Sequence, residues 1–128
     1  MTETVGLDQL QDKVEAALRE GGDTHSPADI LAGIQSGRYQ WWPGLESFVV
    51  TEIMDYPLKR VCHVFLAGGK LEEIRNIRTW VEEWARSVGC TAATIYGRAG
   101  WERELQGEGW HRTAVCLEKA LERPNGKK

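Results

Sequence analysis

Cys62 and His63 stand side by side in a chain of 128 residues that has three cysteines and three histidines. Thiolate and imidazole are both good metal ligands. The pair falls in Arg60–Leu66, an apolar run that reads as a strand, so alternation sends the two side chains to opposite faces, where they cannot share an ion. Cys62, Cys90 and Cys116 are widely spaced, odd in number and form no C-x-x-C pair. That speaks against a zinc knuckle and against a disulfide framework. No metal is expected, and a reducing cytoplasm is the expected compartment.

Six tryptophans are the compositional peculiarity. Trp80 and Trp84 lie four apart on one helical face and are expected in the core. Trp41 and Trp42 are neighbours on a short strand, so one should face the core and the other solvent, a partner or a ligand. With Trp101 they are the candidate anchors of a protein partner or of a homo-oligomer. Arg98, Arg103, His111 and Arg112 could meet nucleic acid. A net charge of −3 argues against a broad phosphate-binding face, so no nucleic acid partner is expected.

The elements that must position these residues follow from periodicity and punctuation. Leu7–Arg19 reads as a helix with Leu10, Val14, Ala17 and Leu18 on one stripe, stopped at Gly21-Gly22. Ser26 is placed as an N-cap, with Pro27 at the first helical position, and Gly37 ends this second helix. Tyr39–Trp42, Ser47–Met54 and Arg60–Leu66 read as three strands, separated by turns at Pro43-Gly44 and Asp55-Tyr56-Pro57. Leu71, Ile74, Ile77, Val81, Trp84, Ala85 and Val88 repeat at helical spacing. Glu72, Glu73, Arg75, Arg78, Glu82, Glu83 and Arg86 are expected to form its solvated outer face. Thr91–Tyr96 should be a fourth strand, Trp101–Leu105 a short helix and His111–Lys119 a last strand, with Val115 and Leu117 on one face.

The strand–helix–strand unit from Arg60 to Tyr96 has the length of a right-handed crossover between parallel strands. The expected fold is therefore α/β (α+β): a mixed, mostly antiparallel sheet with one parallel crossover and two N-terminal helices. Residues 1–121 are expected to form a single domain and 122–128 a tail, in line with hydrophobic and charged fractions of 41% and 27%. No apolar run is long enough for a transmembrane helix, and Met1–Gly6 is polar, so neither membrane nor secretion is expected.

The segments VCHVFLAGG, LEEIRNIRTWVEEWARSVGC, TAATIYGRAG and WERELQGEGWHRTAVCLEKAL carry a family resemblance. From about Arg60 to Leu121 their order is similar to the GNAT superfamily of acyl-CoA-dependent N-acyltransferases. The compact form resembles GNAT-like proteins encoded by bacteriophages. Gly109-Trp110 stands where the family has "GF" before its final strand. The resemblance implies acetyl-CoA as cofactor, held by Gly68, Gly69 and Lys70 in a shortened form of the family's glycine loop, with Arg98 as a further phosphate contact. It also implies a catalytic base, for which Glu52 and His63 are the candidates, and an acid. The family's acid is a Tyr where this chain has Leu105, which leaves Tyr96 as a substitute. Glu52 sits among Val49, Val50 and Ile53 and faces either a cleft or water. Two functions are implied: an acetyl-CoA-dependent N-acyltransferase with a degenerate site, or a non-catalytic protein of this fold, such as a virion component or a host- or viral-protein-binding accessory factor.

Overall fold

A computed structural model describes residues 6–97 and 99–121. Residues 6–97 lie in one compact unit, and a second unit begins at residue 98. Arg98 and residues 122–128 lie outside the described residues, so the phosphate contact expected at Arg98 and the expected tail are not described.

A 3-10 turn over Leu7–Leu10 leads into α1, Gln11–Glu20. The second helix, α2, runs Pro27–Gln35. Its start is a reciprocal cap: the Asp29 N–H donates to Ser26 Oγ, and the Ser26 N–H donates to Asp29 Oδ2. Three antiparallel strands follow: β1 (Tyr39–Pro43), β2 (Phe48–Tyr56) and β3 (Lys59–Gly68). The long helix α3, Leu71–Ser87, then crosses to β4, Ala92–Ile95, which pairs with β3 in parallel. Strand order is β1-β2-β3-β4. The second unit opens with α4, Ala99–Glu104. The mixed, mostly antiparallel sheet with one parallel crossover is the expected fold class.

Alternation along the strands divides the core between the two faces of the sheet. On one face Leu7, Leu10, Val14, Leu18 and Ile30 pack with Tyr39, Phe48, Val50 and Leu66. On the other, α3 presents Ile74, Ile77, Val81 and Ala85, all buried. There Thr51 is fully buried, yet satisfied: Trp42 Nε1 donates to its hydroxyl, which donates to Gln40 Oε1. Trp42 also meets Trp84 edge-on at 5.5 Å, while Trp41 stacks on Phe48 at 5.3 Å. Both are half-buried, one on each face of β1, so neither stands free of the sheet.

Three expectations are corrected. Trp80 is 57% exposed rather than in the core. At about 3.6 residues per turn it lies roughly 100° from the centre of the buried stripe, outside the α3 contact face. Glu73 is not part of a solvated face: its carboxylate accepts the N–H groups of Leu45 and Glu46, which pins the β1–β2 turn to the first turn of α3. Arg78 likewise has only 19% of its side chain exposed and bridges Glu82 at 3.3 Å. Finally, His111–Lys119 forms no strand, and Val115 and Leu117 are exposed. Alternation supplies an apolar face, but a strand also needs a ladder partner, and none is offered to this segment among the described residues.

Glu73→Ala should lower stability by about 1–2 kcal/mol, because two backbone donors lose a charged acceptor at a half-exposed site. Thermal melting reads this as a drop on the order of 4–8 °C for a domain of this size.

Candidate active site

Glu52 on β2, His63 on β3 and Thr94 on β4 are direct register partners, so a single row across three strands brings them to one face. His63 is 5% exposed, and its Nδ1 shares a 2.8 Å hydrogen bond with Thr94 Oγ1. Burial pushes its pKa below the ordinary histidine value, against the pull of the Glu52 carboxylate and the hydrogen bond at Thr94. His63 is thus held as a neutral imidazole at physiological pH. Tyr96, just past the end of β4, lays its exposed ring edge-on to His63 at 4.4 Å. The fold therefore brings all three candidate catalytic residues together. The Glu52 side chain is 19% exposed and meets Arg38 at 3.6 Å.

The neighbourhood is aromatic on its other side. Tyr39, the β1 residue paired with Glu52, packs on Phe65 at 4.9 Å, and His25 meets Phe65 at 5.4 Å. Gly33 makes room for this arrangement: a Cβ there would lie 2.1 Å from the Tyr39 ring. Arg38, His25, Tyr39, Phe65 and Thr94 were not singled out in the sequence. Only their pairing with Glu52 and His63 could have marked them, and that needs the register.

Next to this row the sheet opens. The β3–β4 ladder runs only from Val61↔Ala92 to Val64↔Ile95, whereas β3 continues to Gly68. Phe65 is an extra residue opposite the Val50/Thr51 step of β2, a β-bulge at the point where β4 departs. Backbone groups of β3 from Phe65 onward thus face an edge that β4 does not cover. That edge leads into Gly68-Gly69-Lys70 and α3. Gly69 has φ +111°, and a Cβ would lie 2.4 Å from Ser47 Oγ and 2.5 Å from the Glu46 carbonyl oxygen. A Cβ at Gly68 would press on the Phe48 ring. The two glycines are therefore required by close packing. The Lys70 N–H donates to Ser47 Oγ at 2.7 Å, and Lys70 Nζ meets Glu46 at 3.2 Å. The helix's own ladder begins with Ile74 N–H onto Lys70 O, so the amides of its first turn point toward the loop.

No sequence profile of a known family matches the chain, and no curated protein matches it. Solved structures do. A Bacillus halodurans protein superposes with a TM-score of 0.62 at 15% identity, covering 84% of this chain and 86% of its own. A Thermus thermophilus protein gives 0.62 at 15%, covering 93% and 95%. An acetyltransferase of Trypanosoma brucei gives 0.59 at 10%, covering 87% and 94%. This is a GNAT-like fold.

Among the described residues no three His, Cys, Asp or Glu side chains cluster as ligands. Burial pushes the Cys62 thiol up to about 11, so it is no nucleophile. No helix among the described residues is long and apolar enough to cross a membrane.

His63 makes stability depend on pH. Its folded pKa lies below the unfolded value of 6.5, so the unfolded chain binds a proton that the folded chain resists. Its contribution is complete above 6.5 and is lost as pH falls toward the folded pKa. The melting temperature should fall between pH 7.5 and 5.5, and His63→Asn should flatten that fall. Glu73, depressed by its hydrogen bonds to Ser47 and to the Leu45 and Glu46 amides, acts only below its ordinary 4.5.

Proposed function

We propose that this chain is an N-acyltransferase that takes an acyl-CoA and an amine. The observation that supports the reading most is the placement of Glu52, His63 and Tyr96 beside the point where β4 leaves β3. The residues present fit the cofactor in backbone terms: a strand edge from Phe65 to Gly68 that β4 does not cover, and first-turn amides of α3 that point toward the loop. Charge fits less well, because Lys70 is engaged by Glu46. An acyl-CoA bound there would supply an activated thioester.

The chain's own residues have separable tasks. Glu52 accepts the proton that an ammonium must lose before it can attack. His63, neutral and hydrogen-bonded to Thr94, holds the polar row in register without adding charge. Tyr96 places a phenol at the open end of the row. The bulge at Phe65 aims strand amides at the edge on which an acyl oxygen would develop charge.

Thermal unfolding with millimolar acetyl-CoA, with adenosine diphosphate as control, tests this. A ligand at about 100 times its Kd adds roughly 2.7 kcal/mol, or a rise on the order of ten degrees here. Glu46→Gln frees Lys70 and should tighten acetyl-CoA binding a few-fold in the same assay. An unmoved melting point favours a second reading, a non-catalytic protein of this fold that binds another protein. For that reading the engaged Lys70 and Leu105 speak, and the exposed Trp80 and Leu58 join the half-buried Trp41, Trp42 and Trp101 as candidate anchors.

A further inference from the structure

The guanidinium of Arg38 sits between a carboxylate and an aromatic ring. It lies 3.6 Å from a Glu52 carboxylate oxygen and 5.4 Å from the centre of the Tyr39 ring. The carboxylate is mostly buried and the ring is buried at 7% exposure, whereas 70% of the Arg38 side chain is in solvent. The recognising groups are thus built into the sheet, and the cation is a surface side chain that follows the Gly37 turn. Carboxylate below and aromatic face beside is the pairing that selects a cation. Phe65 and His25 extend the aromatic wall.

We propose that Glu52 and Tyr39 form a binding site for an aliphatic cation, an ammonium or guanidinium on an alkyl chain, and that Arg38 is its displaceable internal occupant. The inference rests on reading this row as the amine side of the site, and it names the class of amine. A neutral or anionic acceptor gains nothing from this carboxylate. Arg38 competes with the ligand because both need the same oxygen and the same ring. An ion pair whose cation is 70% in solvent favours its closed form only slightly, so removing Arg38 should tighten binding by roughly two- to fivefold.

The test needs no acyl donor, which separates its failure from failure of the acyltransferase reading. Agmatine, carrying both cations, is titrated into the 15N-labelled protein, with 1,4-butanediol as the neutral control. Agmatine should shift the amides of Tyr39, Glu52 and His63, and butanediol should not. Arg38→Gln should bind agmatine two- to fivefold more tightly. Arg86→Gln, the same change of charge on α3, should bind as the wild type does. Glu52→Gln should lose at least tenfold while melting within a few degrees of wild type. Equal affinity in wild type and Arg38→Gln, or agmatine binding that survives Glu52→Gln, overturns the proposal. An equal gain in Arg86→Gln would mean attraction to an acidic protein rather than a site, and overturns it too.

Discussion

Glu52→Gln should reduce acyl transfer by about 10²–10³-fold in kcat, with little change in acetyl-CoA binding. General acid–base groups contribute about 10²–10⁴-fold, and Gln keeps the shape while removing proton affinity. The loss should fall on kcat more than on the KM for acyl-CoA, since Glu52 lies in the β2–β3–β4 row and not at the α3 start. Raising the pH should recover part of the rate, because an amine already deprotonated needs no base. A variant with full activity would remove Glu52 from the mechanism and leave His63 as the group to examine. The Arg38 side of the pair is 70% exposed, so losing the pair should cost little stability, and an inactive variant should still be folded.

Gly69→Ala should damage the fold severely, at about 3 kcal/mol. Two independent effects add. The φ of +111° is a conformation that alanine adopts only under strain, and the new Cβ would enter the space of Ser47 and the Glu46 carbonyl oxygen. The displaced group is largely backbone, so it cannot swing aside. Urea unfolding should show the midpoint shift with little change in slope. An alanine variant as stable as wild type would show that the β3–α3 turn relaxes, and the close packing of this loop would lose its importance.

These two positions also show how far the sequence is readable. Gly68-Gly69 is legible as a turn because glycine marks such places, but its reason, contact with Ser47 and Phe48, lies twenty or more residues away in the chain. Glu52, His63 and Tyr96 are legible as chemically able groups on three strands. Their meeting depends on register, which periodicity cannot provide. Ser26 and Pro27 announce the start of α2 because capping is local. Glu73 misleads for the opposite reason: its helical position looks solvated, and its partners belong to the β1–β2 turn. Trp80 misleads because a spacing of four residues brings it near Trp84 without bringing it onto the buried stripe. His111–Lys119 has the alternation of a strand, but alternation cannot show whether a ladder awaits it.

The most direct test of the central claim is a 15N NMR titration of the protein with acetyl-CoA. The proposed acyl-donor site is the uncovered edge of β3 and the first turn of α3, beside Glu52 and His63. Saturable shifts should therefore concentrate on the amides of Phe65–Glu73 and spread to His63 and Tyr96. No shift up to millimolar acetyl-CoA, or shifts that gather elsewhere and spare Phe65–Glu73, would contradict the assignment and remove the acyltransferase reading with it.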